Sequence, residues 1–332
     1  MKIRILIGIL LVTLASSQLT NAQKRRTLFE PYSTVGFGIG TSSYMGELAP
    51  YSTPIRTVFN MMRWSVNANY TRQFTPRFGA RVGFTWARIA GDDELMNRGS
   101  SPYYPNGYLR NLHFRNDLKE FSLVGIYNLK PDGRGLNRRA DFMPYIFGGI
   151  AVVAHNPKAK TPEFYENRKW VALQPLGTEG QGQPGYASPY SLVTMAVPVG
   201  FGLRLKINDR WNIGAELGFR FTLSDYLDDV STNYADPAIF ADPNATGNVL
   251  ARDLSNRSLE RIAARKLRDR TAQTRNILGL DPSADPFGAN QPLLGHEAGD
   301  LRGNLELKDS YLLGIISVSY VLPGKIKCPP LR

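Results

Sequence analysis

Two consecutive segments of the chain alternate apolar and polar residues so regularly that few folds can accommodate them. Between residues 193 and 207 every second residue is apolar, and the residues between them are Thr, Ala, Pro, Gly, Arg and Lys. After a polar turn at 208–210 the alternation continues from 211 to 223, with Gly, Glu and Arg on the second face. Because side chains alternate across a β-strand, each segment predicts a strand with one wholly apolar face.

The length of these two segments indicates which face points outward. Strands of water-soluble sheets average about 5–6 residues, whereas both segments exceed a dozen. A tilted strand needs about 9–11 residues to cross a bilayer. Gly, Arg and Glu would pack poorly in a soluble core, but they suit the lumen of a small barrel. The alternation therefore predicts apolar side chains toward lipid and polar side chains toward a lumen, which is typical of a transmembrane β-barrel.

The start of the chain predicts export. Residues 1–4 contain two positive charges, Lys2 and Arg4, residues 5–14 are apolar apart from Thr13, and Ala22 offers a small residue for cleavage. This is the pattern of a secretory signal peptide over residues 1–22. The apolar run is too short to be a membrane-spanning anchor, and no Cys stands at the cut to carry a lipid. We therefore expect a signal peptide at 1–22, a barrel at 23–324 and a periplasmic tail at 325–332.

The composition of the chain limits the kinds of partner it is expected to bind. No later stretch approaches the ~18 consecutive apolar residues of a transmembrane helix. The formal charge is +12, and loss of Lys2 and Arg4 with the signal would leave +10. Such a basic exported protein favours anionic partners, namely outer-membrane lipid, lipopolysaccharide phosphates or an acidic protein surface. The sequence contains no nucleic-acid-binding motif, so we expect no nucleic-acid partner.

Six further segments predict strands of the same kind, beginning near residues 35, 63, 78, 120, 142 and 311. Inward glycines in the first would let opposite walls approach across a narrow lumen. Two segments fit less well, because Val124 and Ile126 blur the alternation of the fourth and 142–154 is apolar on both faces. Together with the first pair they predict an all-β fold, an eight-stranded antiparallel transmembrane barrel.

Loop lengths predict the orientation of this barrel. The second, fourth and sixth connections are short, while the first, third, fifth and seventh are long, and the seventh forms an insertion at 225–307. Outer-membrane barrels have short periplasmic turns and long external loops. We therefore expect a location in the outer membrane with both termini in the periplasm. Trp64 and Trp86 would then lie in the outer aromatic girdle and Trp211 in the inner one, although Trp in a soluble core is the alternative.

The inward faces of the predicted strands carry charge of both signs. An eight-stranded barrel is only wide enough to be filled by its own side chains, and buried charges need partners. We therefore predict an ion-paired lumen rather than a path for ions or solutes. The residues predicted to fill it are Arg63, Arg81, Arg204 and Arg220, with Glu120 and Glu216 as their partners.

Two segments of the last long loop carry dense charge. The segment 225–229 has three carboxylates in five residues. Oxygen-rich loops can hold Ca²⁺, but the spacing lacks the alternation of a calcium loop, so a solvated strand end is the favoured interpretation. The segment 252–277 is rich in Arg and Lys and predicts a basic amphipathic helix, lying either on anionic head groups or a partner, or over the barrel as a solvated lid.

Catalytic patterns are lacking in the sequence. His113, His155 and His296 fall in predicted loops or at strand ends without a metal-binding spacing, as scattered surface histidines would. No G-x-S-x-G elbow, P-loop or zinc Cys pattern occurs. We expect no enzymatic activity and no cofactor. An outer-membrane enzyme acting on lipid or peptide is the alternative, because its residues could come from separate loops.

The single cysteine, Cys328, lies beside Lys325 and Lys327 in the predicted periplasmic tail. An unpaired Cys in an exported protein is either a free thiol or half of an intermolecular disulfide. Neighbouring lysines favour the thiolate and hence disulfide exchange. We predict a covalent link from Cys328 to a periplasmic or lipoprotein partner.

Three segments resemble a known family. They are Gly36-Phe37-Gly38-Ile39-Gly40 through Tyr44-Met45-Gly46-Glu47-Leu48, the segment 224–234 around Asp225-Tyr226-Leu227-Asp228-Asp229, and the tail Lys327-Cys328-Pro329. This set resembles the PorG-like outer-membrane β-barrels of Bacteroidota, from the first strand to the tail except for about 236–305. The resemblance implies a non-enzymatic component of the type IX protein secretion machinery, associated with a periplasmic ring formed by a lipoprotein and its partner. Cys328, the basic start of the mature chain and the short turns would face that ring. The competing hypothesis is a stand-alone barrel that braces the envelope or binds external ligands.

Overall fold

The computed structural model describes residues 29–51, 54–97, 105–133, 139–241, 248–288, 296–304 and 308–322. The predicted signal peptide at 1–22 and the tail with Lys325, Lys327 and Cys328 lie outside the described residues. Among those residues, no helix has both the length and the apolar character to cross a membrane.

Eight long strands form a closed antiparallel barrel. They follow the order β3-β2-β1-β10-β9-β8-β5-β4, and β3 also pairs with β4. Closure matters in a membrane because a spanning sheet must satisfy its backbone hydrogen bonds internally and can leave no open edge to lipid. The predicted eight-stranded barrel is confirmed. The strands are β1 Tyr32–Met45, β2 Arg63–Gln73, β3 Phe78–Asp92, β4 His113–Asn128, β5 Phe142–Ala154, β6 Lys158–Lys160, β7 Trp170–Ala172, β8 Val193–Lys206, β9 Trp211–Thr222 and β10 Ser310–Val321.

The apolar face of the long strands points away from the lumen. Phe37 and Ile39 of β1 are 70% and 71% exposed, and Val199, Phe201 and Leu203 of β8 are exposed in the same way. A surface this apolar on a closed barrel suits contact with acyl chains rather than with water.

The two segments with blurred alternation line one part of the lumen. Val124 and Ile126 of β4 pack with Tyr145 and Phe147 of β5 in a buried cluster. Tyr145 fits because its register partner is Gly202, where an added Cβ would lie 2.5 Å from the Tyr145 ring. The lumen is therefore partly apolar at this position, so alternation alone could not assign the phase of β5.

The connections divide the barrel into two ends. Short turns at 74–77 and 207–210 lie at one end, here called the turn end, with the start of β1 and the end of β10. The described residues of the connection between β4 and β5, 129–133 and 139–141, lie at the same end. Four long connections, 46–62, 93–112, 155–192 and 223–309, lie at the other, here called the loop end, and are named the first to fourth loops. They contain the helices α1 Pro54–Met61, α2 Asp93–Met96, α3 Pro105–Arg110, α4 Asn248–Ser255 and α5 Thr271–Leu278. The third loop also forms the short β6–β7 hairpin, which extends the sheet beyond β4.

Candidate functional site: a filled lumen under an arginine-braced cap

An ion pair between opposite walls crosses the middle of the lumen. Arg81 on β3 forms an ion pair with Glu216 on β9, and the Tyr145 hydroxyl donates to the same Glu216 oxygen at 2.5 Å. The Arg81 guanidinium also lies 5.0 Å from the centroid of the Phe147 ring. The two charged side chains are only 12% and 13% exposed, so each is the main compensation for the buried charge of the other.

A second ion pair lies nearer the loop end. Arg220 Nε is 3.3 Å from Glu120 Oε2, and the Tyr311 hydroxyl donates to that oxygen at 2.6 Å. Arg220 also donates to the carbonyl of Gly218 at 2.8 Å. Thus the structure brings Arg81, Glu216, Arg220 and Glu120 together in two pairs. Each pair is completed by a tyrosine that the alternation of polar and apolar residues does not indicate.

Two of the arginines predicted for the lumen form their contacts at its two ends. Arg204 pairs with Asp132 of a turn at 3.2 Å, not with a strand glutamate, and the Tyr32 hydroxyl donates to Asp132 at 2.5 Å. Arg63 lies at the loop-end start of β2, and its Nη1 donates to the carbonyl of Met62 at 2.7 Å. The inward phase of these residues did not give their partners, because near the end of a strand the partner can come from a turn or from a neighbouring backbone carbonyl.

The predicted girdle residues lie on the exterior. Trp64 and Trp86 are exposed on β2 and β3, and their rings meet edge to face with centroids 5.2 Å apart. At the turn end, Trp211 is exposed and packs against Tyr320 at 5.0 Å.

Buried arginines join the four loops into one cap over the loop end. Arg110 in the second loop binds Asp93 through two nitrogens at 2.8 and 2.9 Å. It also donates to the carbonyl of Glu47 in the first loop at 3.1 Å and to that of Arg302 in the fourth at 2.7 Å. Arg302 in turn donates to Glu179 of the third loop at 3.0 Å. A guanidinium has five donors in a rigid fork, so one side chain can hold several loops at once.

The predicted basic helix at 252–277 is wrong. Only its ends are helical, in α4 and α5, and the segment between them is irregular. Arg270, 0% exposed, donates to the carbonyls of Glu260, Tyr108 and Leu109 at 2.7, 2.6 and 2.9 Å. Arginines that satisfy loop carbonyls replace the regular hydrogen bonds of a helix, and composition cannot distinguish these two uses of arginine.

The acidic segment 225–229 is buried beneath this cap. The interpretation as a solvated strand end is therefore wrong, since Asp225, Asp228 and Asp229 are all buried. Asp229 accepts from the hydroxyls of Thr178 and Tyr190 at 2.5 Å each, and Asp225 accepts from Ser231 at 2.7 Å. Leu227 within this segment and Val230 directly after it belong to the core that closes the loop end of the lumen.

A cluster of three carboxylates surrounds one hydroxyl at the base of the cap. The Tyr44 oxygen lies 2.7 Å from Asp228, 2.5 Å from Asp309 and 3.4 Å from Glu47. One oxygen of each carboxylate lies within 4.8 Å of the others, a spacing at which a hard cation such as Ca²⁺ could reach all three. One hydroxyl proton serves only one acceptor at a time. Burial, reinforced by the neighbouring carboxylates, raises the pKa of Asp228 and Asp309 well above the usual range.

The same cluster borders a cavity of about 560 Å³ that opens at the loop end. Its wall includes Glu47, Arg110, His296, Arg302 and Asn304. Burial, and then the charge of Asp225, raises the pKa of Glu47 to about 7. Glu47 therefore connects the buried carboxylates with the cavity.

The three histidines are buried, which corrects the expectation of surface residues. His113 Nε2 accepts from the backbone N–H of Lys160 at 3.0 Å. His155 stacks on Tyr190, and His296 meets Tyr234 edge to face. Burial lowers the pKa of His155 and of His296 to about 4, so both are neutral near pH 7. Their contacts are those of packed side chains.

Neither family models nor curated proteins match the sequence. Solved β-barrels show a distant likeness. Ail of Yersinia pestis, solved in complex with the heparin analogue sucrose octasulfate, is 9% identical with a TM-score of 0.34, covering 89% of this chain and 100% of its own. Neisserial surface protein A is 8% identical at 0.32, covering 57% and 82%. The N-terminal β-barrel domain of Pseudomonas aeruginosa OprF is 8% identical at 0.31, covering 89% and 98%. These likenesses concern the fold alone.

The lumen pair generates a stability prediction. Glu216→Gln leaves the Arg81 charge buried without its partner, so we expect a loss of about 3–5 kcal/mol in the free energy of unfolding. Adding Arg81→Met should restore most of that loss, because the unpaired charge disappears. Urea unfolding in lipid vesicles measures the free energy of unfolding of the parent and of both variants. Equal stability of Glu216→Gln and the parent would contradict a central role for this pair.

The carboxylate cluster generates a pH prediction. Because the folded pKa values are raised, the folded cap binds more protons than the unfolded chain, and its stability is fully present below the unfolded pKa of about 4. That stability is lost as pH rises through the folded values, about 7 for Glu47. The hydrogen-exchange rate of the amides at 225–231 should therefore rise between pH 5 and pH 8 by more than the intrinsic exchange rate of an unstructured amide rises over the same range.

Asp228→Asn should flatten this pH dependence, whereas Asp209→Asn, on an exposed turn at the opposite end, should leave it unchanged. An unchanged slope in Asp228→Asn would contradict the assignment. If added Ca²⁺ protected the parent cap at pH 8 and failed to protect Asp228→Asn, the oxygens would hold a cation instead of protons.

Proposed function

We propose that this protein is a non-enzymatic outer-membrane barrel that anchors or stabilises a periplasmic ring complex of the type IX protein secretion machinery. The observation that supports an anchoring role is the filled interior. Arg81–Glu216 and Arg220–Glu120 cross the lumen, and the core around Leu227 lies beneath the cap. A barrel filled in this way is suited to hold an assembly in place rather than to pass protein through its centre.

Loop lengths support the orientation in this proposal. The turn end has the short connections that face the periplasm in outer-membrane barrels. Three exposed cations, Arg77, Lys130 and Arg210, lie on its three turns. Cations on separate turns can meet an acidic partner surface over a wide area and steer its approach. We propose that this end, together with Lys325, Lys327 and Cys328 beyond the last strand, faces a ring lipoprotein and its partner.

Co-isolation from gently solubilised outer membranes tests the proposal. We expect the parent protein to retain periplasmic ring proteins, and the triple variant Arg77→Gln, Lys130→Gln, Arg210→Gln to retain several-fold less. A matched triple variant, Arg252→Gln, Lys266→Gln, Arg268→Gln, removes the same charge from exposed positions on the cap and should behave as the parent. On non-reducing gels, a heavier band should collapse in reductant and in Cys328→Ser.

The outcomes separate the candidate functions. Isolation of the parent protein alone, always as a monomer, would contradict both the ring association and the covalent link. It would favour a stand-alone barrel that braces the envelope or binds an external ligand. The folded cap is the observation that favours this second candidate, because its cavity beside Glu47 and Arg302 is accessible from the loop end.

A further inference from the structure

We propose that the outer wall of the loop end binds the phosphate groups of lipopolysaccharide in the outer leaflet. The binding surface, here called the basic wall, consists of Arg88, Arg115, Lys119, Lys158 and Lys160 around Asp117. The inference depends on the proposed orientation, which places the loop end in the outer leaflet, and it is independent of any periplasmic partner.

Strand register places part of the basic wall directly above the lipid-facing surface. Along the β3–β4 pair, Phe84 lies opposite Phe121, Trp86 opposite Lys119, Arg88 opposite Asp117, and Ala90 opposite Arg115. Opposed residues in an antiparallel pair share a face, as do alternate residues along one strand. The exterior therefore changes from apolar to aromatic to charged over three successive pairs. Acyl chains, the interface and lipid head groups follow one another in the same order.

The hairpin of the third loop extends this wall. Lys158 of β6 lies opposite Arg115 of β4, and Lys160 lies opposite Trp170 of β7. Alternation along β6 therefore places both lysines on the face that carries Arg115. The Arg115 guanidinium lies 4.3 Å from the centroid of the Trp170 ring and Lys160 Nζ lies 5.8 Å from it. The indole holds two cations close together, which orders the site before a ligand arrives.

The basic wall has charge to offer an anion. Asp117 is its single acid, and it is bound by Arg88 at 2.5 and 2.9 Å. Arg88 in turn lies 5.4 Å from the centroid of the Trp64 ring, against the girdle. Among the residues that the structure describes, Arg115, Lys119 and Lys158 form no ion pair. These three cations, half-buried or exposed on a lipid-flanked wall, are the groups best placed for phosphate.

The cations of the basic wall and its position in the head-group layer together indicate a phosphate-bearing lipid as the partner. Arg binds phosphate through paired donors and Lys binds it as a point charge. The wall continues the lipid-facing surface of Phe84 and Phe121, so an acidic protein would have to enter the head-group layer to reach it. A membrane lipid already occupies that layer. In the outer leaflet the phosphate-bearing lipid is lipopolysaccharide.

The test uses the full-length protein purified in detergent, with purified lipopolysaccharide as the probe and native mass spectrometry as the readout. The wall variant is Arg115→Gln, Lys119→Gln, Lys158→Gln. The control is the cap variant Arg252→Gln, Lys266→Gln, Arg268→Gln, which removes the same charge. We expect the wall variant to bind about tenfold more weakly or worse, and the cap variant to stay within roughly twofold of the parent. Enzymatically dephosphorylated lipopolysaccharide should bind the parent as weakly as intact lipopolysaccharide binds the wall variant.

Each other outcome overturns the inference. Equal losses in the two variants would show a general charge effect, and undiminished binding to the wall variant would show that the wall is not the site. Tighter binding of phosphatidylglycerol than of lipopolysaccharide would place the wall in the inner leaflet and contradict the orientation. Because purified components are used, a missing periplasmic ring would refute the secretion role without affecting this result. Heat-modifiable migration on gels verifies folding, and Lys119→Gln alone, at an exposed position, provides the milder variant.

Discussion

Closure of the hydrogen-bonded cylinder is the constraint on which the rest of the structure depends. A bilayer offers no water to an unpaired N–H or C=O, so the first long strand must pair with the last. With eight strands, that closure leaves a lumen that side chains alone can fill. Arg81, Glu216, Arg220 and Glu120 fill it as two ion pairs, and Tyr145 and Tyr311 supply further hydrogen bonds. The buried charge thus follows from the narrowness of the barrel and from the need to place polar residues on its inner face.

At the loop end, buried charged side chains again stabilise the structure, here by binding the backbone of the loops. Its loops lack a large hydrophobic core of their own, and their backbone carbonyls must be satisfied as they cross one another. Buried arginines do this, because Arg110 and Arg302 connect all four loops through carboxylates and carbonyls. We expect the separate cluster of Glu47, Asp228 and Asp309 to make the stability of the cap depend on pH, because burial raises the pKa of all three carboxyls. The same end carries the basic wall, for which we propose binding to the phosphates of lipopolysaccharide.

The barrel could be predicted from sequence because its period-two alternation is local and long. At β8 and β9 a single face is apolar throughout, and Val199 lies opposite Phe219 on that face. The phase of β5 could not be assigned because Tyr145 and Phe147 are apolar residues that face the lumen. Nor could the cap be predicted, since Arg270 binds the backbone carbonyl of Tyr108 in another loop, and Arg302 binds that of Ser255, 47 residues away in its own loop. No local residue pattern encodes such contacts. Asp132 could not be predicted as the partner of Arg204, because it lies in a turn and the strand pattern gives no position for it.

Whether the apolar face of the barrel contacts lipid can be measured at neighbouring residues of β8 and β9 in a bilayer. Single cysteines in a Cys328→Ser background, at Val199 and Leu217 on the outer face and at Ala196 and Thr222 on the inner face, can be spin-labelled in reconstituted vesicles. Frequent collision of the spin label with oxygen then indicates lipid around it, and frequent collision with a water-soluble nickel chelate indicates water. We expect strong oxygen collision at the two outer positions and restricted access at the two inner ones. Strong collision with the nickel chelate at Val199 and Leu217 would mean that the apolar face meets water, and would contradict its contact with lipid.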